Sequence, residues 1–229
     1  MSTFVFVHGS WHGGWCWKKL IPELAVRGHI CRTRSLSGLG EHHHTASPSI
    51  DLSTHILDIT NFLEFEDLRG VILVGHSYGG MVITGVADRS DRVGKLVYLD
   101  AIVPEHGESA FSLINGLEQE FSGIADANGM VPPWPPKRYG ADPADVAWMK
   151  PRLTPLPILT HREKLNAPKM KAKLLPRYFV HCMQFRLGAQ FAERIRSQGA
   201  TVFELNAGHD AMITNPRELA SILDRIVSS

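Results

Sequence analysis

The hexapeptide Gly75-His76-Ser77-Tyr78-Gly79-Gly80 carries the residue best suited to covalent chemistry in this chain. It follows the apolar run Val71-Ile72-Leu73-Val74 and precedes a helix-compatible stretch, the setting in which a G-x-S-x-G turn lifts a serine hydroxyl above a sheet. Gly-rich turns of this kind also occur without chemistry, so the partners decide. A serine nucleophile needs a base to take its proton and hydrogen-bond donors to meet the oxyanion it creates. The strand-like run Phe4-Val5-Phe6-Val7 enters His8-Gly9-Ser10-Trp11-His12-Gly13-Gly14, a loop of the type that supplies one oxyanion donor. The expected pair of donors is the backbone N–H of Ser10 and that of Tyr78, the residue after the nucleophile. The base is expected at His209, which follows the short strand Thr201-Val202-Phe203-Glu204-Leu205 and precedes Asn215-Pro216-Arg217-Glu218, a helix start with Asn at N-cap, Pro at N1 and Glu at N3.

These residues must be positioned by strands alternating with helices. Trp15 to Arg27 suits a helix ending at Gly28, His29 to Arg34 a strand, and Leu52, Ile56, Ile59, Phe62 and Leu63 recur at helical spacing. Further strands are expected over Val71 to Val74, Lys95 to Leu99, Tyr178 to His181 and Thr201 to Leu205, with helices after Ser77, Gly188 and Pro216. The pattern predicts an α/β fold, a mostly parallel sheet flanked by helices on both faces. Such sheets place their sites at the carboxyl ends of the strands, where Ser10, Ser77, Asp100 and His209 all fall.

The segments His8 to Trp17, Gly75 to Gly80 and Gly208-His209-Asp210-Ala211-Met212 resemble the α/β-hydrolase superfamily. Within it they are similar to the group of esterases and hydroxynitrile lyases that includes plant methyl-ester esterases and small bacterial esterases. The resemblance runs over nearly the whole chain and is weakest between Pro104 and Pro176. In the plant relatives the triad acid follows the penultimate strand, but Tyr178 to Phe185 contains no carboxylate and Gln184 stands near the expected place. An amide lacks the charge that stabilises an imidazolium. Asp100 is the best candidate acid, since it ends the strand after the nucleophile in the run Asp100-Ala101-Ile102-Val103-Pro104. Some haloalkane dehalogenases of this fold carry their acid at that strand end. An aspartate there can also serve as a turn or capping residue.

One domain over residues 1–229 is expected, with a core of 1–103 and 177–229 and a cap inserted over 104–176. Prolines concentrate in that insertion, at Val131-Pro132-Pro133-Trp134-Pro135-Pro136 and around Pro151, Pro155 and Pro157. Met130, Phe111, Trp134 and Trp148, with Leu113, Phe121 and Met149, are its candidate pocket residues, and His12 is the candidate from the oxyanion loop. Packing of the cap onto the sheet competes with pocket lining for most of them.

The chain has 229 residues, 44% of them hydrophobic, and its 24 basic and 23 acidic side chains leave a net charge of +1. That length supports one substantial core, and the balanced charge predicts no nucleic-acid partner. The start Met1-Ser2-Thr3-Phe4 lacks the features of a signal peptide or membrane span, which predicts a soluble cytoplasmic protein. Cys16, Cys31 and Cys182 lack C-x-x-C spacing and are expected as thiols. His42-His43-His44 is expected on a solvated loop, with no metal and no cofactor. The expected activity is a serine hydrolase acting on a small, largely apolar carboxylic ester, a carbamate being a further class. A hydroxynitrile lyase and a non-catalytic small-molecule receptor are the alternatives. The plant lyases carry a lysine after the catalytic histidine, whereas this chain has Asp210, whose charge would oppose departing cyanide.

Overall fold

The runs Phe4 to Val7 and Val71 to Val74 show no polar alternation because both lie where each face of a sheet is covered. In the computed structural model, which describes residues 1–228, six parallel strands form the main sheet. They are β1 (Thr3–Val7), β2 (Ile30–Thr33), β3 (Val71–His76), β4 (Val93–Leu99), β7 (Arg177–Cys182) and β8 (Thr201–Leu205), in the order β2-β1-β3-β4-β7-β8. The chain starts at β1, steps outward to β2 and returns to β3 on the other side of β1. That reversal opens a crevice between the ends of β1 and β3, the place where doubly wound sheets hold ligands.

The principal flanking helices are α1 (Leu20–Ala25), α2 (Leu52–Phe65), α3 (Gly79–Arg89), α8 (Leu187–Ser197), α9 (Ala211–Thr214) and α10 (Pro216–Val227). Helix α2 begins where the Asp51 carboxylate accepts the Thr54 N–H at 2.8 Å. Helix α10 buries Leu219, Ala220, Ile222, Leu223 and Ile226, the helical spacing of one apolar face. Between β4 and β7 lie α4 (Ala110–Leu113), α5 (Leu117–Ile124), α6 (Pro143–Met149), α7 (Leu159–Arg162) and a two-stranded antiparallel ribbon of β5 (Met130–Val131) and β6 (Leu156–Pro157). Among the described residues this segment adds no strand to the main sheet. Trp11 ties it down, its indole N–H donating to Val131 O at 3.0 Å while its carbonyl accepts from Thr154 N–H at 3.0 Å.

Two local expectations are corrected. The helix expected over Trp15 to Arg27 is a 3₁₀ turn, Gly14–Trp17, followed by the short α1. Pro22 is the cause, because it has no N–H to donate back to Lys18 and fits only within a first turn. Asn215 is the N-cap residue of α10, with Pro216 following, but its side chain makes no capping bond. It also closes α9, its N–H donating to Ala211 O at 2.9 Å, and its amide oxygen accepts from the Thr214 hydroxyl at 2.8 Å. No helix among the described residues is long and apolar enough to cross a membrane.

Candidate active site

Ser77 sits at the end of β3 with φ +55°, in the left-handed region. Such a conformation costs a non-glycine residue roughly 1–3 kcal/mol and persists only where surrounding bonds fix it. Here Ser77 N–H donates to Leu99 O at 3.2 Å, while Ser77 O accepts from Gly80 N–H at 3.1 Å and Ile102 N–H at 3.0 Å. Gly80 is required by that clamp, since a Cβ on it would fall 2.0 Å from Ile102 O. Asp100, at the end of β4, is left-handed too, with φ +44°, a conformation aspartate tolerates better than most residues.

Asp100 and His209 are brought together. Both are buried, and His209 Nδ1–H donates to Asp100 Oδ2 at 2.6 Å. The second carboxylate oxygen accepts from the Cys182 N–H at 3.3 Å. Helix α8 approaches this carboxylate through Gly188, where a Cβ would meet Asp100 Oδ1 at 1.8 Å. His209 is held by its own N–H, which donates to Tyr139 O at 2.9 Å, by Phe185 stacked 4.1 Å away, and by its carbonyl, which accepts from His76 Nε2 at 3.0 Å. Gln184 lies elsewhere, its exposed amide donating to Asn206 Oδ1 at 3.1 Å.

One cavity joins these groups. Ser77, His209 and Asp100 line it with Ser10, His12, His76 and Tyr78; it opens to solvent on one side and has a volume of about 50 Å³, room for a few water-sized groups. The wall is apolar and comes from Trp11 and Ile102 of the sheet side, from Ile114, Leu117, Phe121, Trp134 and Tyr139 of the inserted segment, and from Phe185, Leu187 and Phe191. Among the described residues, neither Ser10 N–H nor Tyr78 N–H donates to another group of the chain.

Of the expected pocket residues, His12 and Trp134 line this cavity, as does Phe121. Phe111, Met130 and Trp148 do not, and neither do Leu113 and Met149. Phe111 stands behind the wall, edge-on to Phe121 at 5.7 Å. Met130 is committed to the β5–β6 ribbon opposite Pro157. Trp148 turns outward against Trp15 at 5.3 Å, with the Arg152 guanidinium 4.9 Å from its ring. Tyr139, Phe185 and His161 are cavity residues that sequence reasoning missed; His76 and Trp11 are further ones, each inside a motif already singled out.

Asp210 and His12 form a charged pair behind the loop that carries Ser10. His12 Nε2 is 3.3 Å from Asp210 Oδ2, His76 Nε2 is 3.5 Å from Asp210 Oδ1, and His12 Nδ1–H donates to Ser10 O at 2.7 Å. The nearest donors to the Asp210 oxygens are thus the His12 and His76 Nε2 atoms, and the charge of His12 supplies most of what holds the carboxylate. Burial works against both charges. Asp210 nonetheless raises the His12 pKa, and His12 lowers that of Asp210. Burial and the neighbouring His209 push His76 well below the usual histidine range, so it faces the pair as a neutral ring. Burial, with Asp210 adding to it, pushes the Cys16 thiol and the Tyr139 phenol up, and both stay neutral.

The raised His12 pKa stabilises the fold below the unfolded histidine value, and this contribution fades as pH rises through the folded one. The lowered Asp210 pKa stabilises above the unfolded carboxylate value and fades as pH falls through the folded one. Both contributions are complete between about pH 3.9 and 6.5. Asp210→Asn is therefore expected to lose about 3 kcal/mol at pH 6 and less at pH 9. Urea unfolding across that range checks it, and an unchanged alkaline decline in stability would contradict it.

Residues 4–222 match the model of the alpha/beta hydrolase family. The chain is 36% identical to a carbendazim hydrolyzing esterase of a Nocardioides strain, over 97% of this chain and 98% of that one. Among solved structures it resembles a methylesterase from Arabidopsis, at 25% identity and a TM-score of 0.81, covering 100% of this chain and 99% of that one. An extracellular alpha/beta-hydrolase from a Paenibacillus species shares the fold with a TM-score of 0.87 at 24% identity, covering 98% of each chain.

Proposed function

The chain belongs to the alpha/beta hydrolase family, and from that premise we propose that it hydrolyses small, largely apolar carboxylic esters and carbamates through an acyl-enzyme on Ser77. The observation that carries the proposal is the 2.6 Å bond between Asp100 and His209 in the cavity that Ser77 also lines. With Nδ1–H committed to Asp100, the neutral His209 ring keeps a lone pair on Nε2. Nε2 takes the Ser77 proton as the serine oxygen bonds to the substrate carbonyl carbon. The negative charge that develops on the carbonyl oxygen is met by the free N–H groups of Ser10 and Tyr78. His209 then protonates the leaving alkoxide, and water, deprotonated by the same ring, releases the acid and restores Ser77.

The small cavity volume supports a small acyl half, and residues 104–176 act in this reading as the cap, since Phe121, Trp134 and Tyr139 line the cavity from that side. The relative whose name gives carbendazim hydrolysis supports carbamates beside esters. Where the plant lyases carry a lysine after the catalytic histidine this chain has Asp210, which leaves no cation there to receive cyanide and speaks against their chemistry. A cytoplasmic location is supported by the three free cysteines, Cys16, Cys31 and Cys182, which a reducing compartment preserves.

A panel of aryl, methyl, lactone and carbamate esters, run on the protein and on a Ser77→Ala control, tests the proposal. Serine-dependent turnover is expected, and ligand binding without turnover would favour a receptor. Gly188→Ala supplies a second check, because the added methyl would force the Asp100 carboxylate away from His209. A loss of about a hundredfold in kcat is expected, the scale of a displacement near 1 Å, with the circular dichroism spectrum retained. Unchanged kcat would show that Asp100 does not need that position.

A further inference from the structure

Ser10 Oγ lies 2.9 Å from His161 Nε2, a bond that joins the oxyanion loop to α7 across the cavity. Its direction is fixed from the far end. The single hydroxyl hydrogen of Thr160 goes to Pro157 O at 2.7 Å, so the Thr160 oxygen accepts, at 2.8 Å, the proton on His161 Nδ1. A neutral imidazole protonated at Nδ1 has only a lone pair at Nε2. Burial, with His55 adding to it, pushes the His161 pKa down to about 3, so the ring stays neutral near neutral pH. The Ser10 hydroxyl must therefore donate to His161, and its oxygen lone pairs remain in the cavity as an oriented acceptor. The surroundings are apolar: the Tyr78 ring stacks on His161 at 4.5 Å and Phe121 lies 5.0 Å away.

This acceptor belongs to Ser10, which lines the same cavity as Ser77 and whose backbone N–H is assigned above to the oxyanion, and that assignment puts it beside the scissile carbonyl. We propose that Ser10 Oγ, held by His161 and Thr160, accepts a hydrogen bond from a substrate N–H adjacent to that carbonyl and so selects N-monosubstituted carbamates over esters of the same shape. The inference rests on the hydrolase reading above. In the reaction Ser77 Oγ bonds to the carbamate carbon, the bond to the alkoxy oxygen breaks, and the alcohol leaves with the proton from His209. The carbamoyl N–H stays on the Ser10 acceptor until water releases the carbamic acid, which breaks down to amine and carbon dioxide.

The test compares methyl N-phenylcarbamate with methyl phenylacetate, in which a CH₂ replaces the N–H, on the wild-type protein, Ser10→Ala and Thr160→Val. Ser10→Ala removes the hydroxyl and keeps the backbone N–H. Its kcat/KM for the carbamate is expected to fall about tenfold more than for the phenylacetate, the scale of one hydrogen bond. Thr160→Val keeps the shape but frees the His161 tautomer, and should shift the carbamate-to-ester ratio in the same direction, with a lowered melting temperature because Pro157 O and His161 Nδ1–H lose their buried partner. Equal losses on both substrates would overturn the inference and leave the Ser10–His161 bond as a latch on the cap. Serine-dependent turnover of p-nitrophenyl acetate with no turnover of the carbamate would overturn it too while the hydrolase stands. No serine-dependent turnover of any of the three would overturn the hydrolase reading and this inference together.

Discussion

Ser77→Ala is expected to lower kcat on p-nitrophenyl acetate by about six orders of magnitude, the loss typical when a serine nucleophile is removed. The fold should survive. Alanine has the same Cβ as serine, so the φ +55° turn bears no new strain, and the bonds that fix the turn run through the backbone of Ser77, Leu99, Gly80 and Ile102. Steady-state kinetics and a thermal melt on the same preparation measure both halves. Residual activity above about a tenth of wild type would remove Ser77 from the chemistry, since alanine has no hydroxyl with which to form the covalent bond that the mechanism needs.

Asp100→Asn has the second largest expected effect, about four orders of magnitude in kcat with little loss of substrate binding. The carboxylate uses one oxygen for His209 Nδ1–H and the other for the Cys182 N–H. An asparagine has one oxygen for two donors. If its NH₂ faces His209, the ring must present a lone pair at Nδ1 and carry its proton at Nε2, where it can no longer accept the proton of Ser77. If it faces Cys182 instead, the charge that stabilises the imidazolium is still missing. Gln184→Ala serves as the comparison and should leave kcat within about twofold, because that side chain is exposed and bonded to Asn206. A fall of less than about tenfold in Asp100→Asn would refute the acid assignment.

Ser77, the oxyanion loop and His209 were legible in the sequence because the chemistry there depends on local backbone form: a strand, a tight turn and a helix start leave their mark within a few residues. Asp100 was legible by another route, as a carboxylate at the end of the strand next to the nucleophile, once Tyr178 to Phe185 offered none. The mostly parallel sheet followed from the alternation of apolar runs with helical spacing, whereas the order of its strands carries no local mark in the chain. The pocket wall was not legible in the same way. Which face of a short element looks into a cavity depends on where that element docks, and Trp148 docks against Trp15 while Trp134 packs on Trp11 at 4.9 Å. Nothing near His161 in the chain marks it, since its partner Ser10 is 151 positions away. The break in the first helix was encoded, at Pro22, but helical spacing alone hides it.

The central claim is that Ser77 carries the acyl group between two half-reactions. The most direct measurement is intact-protein mass spectrometry after rapid acid quench of the protein mixed with excess p-nitrophenyl acetate, followed by peptide mapping. One added acetyl group is expected, formed in step with a burst of p-nitrophenol, located on the peptide that contains Ser77 and absent from Ser77→Ala. Turnover with no adduct at any quench time, or an adduct on another residue that persists in Ser77→Ala, would contradict it.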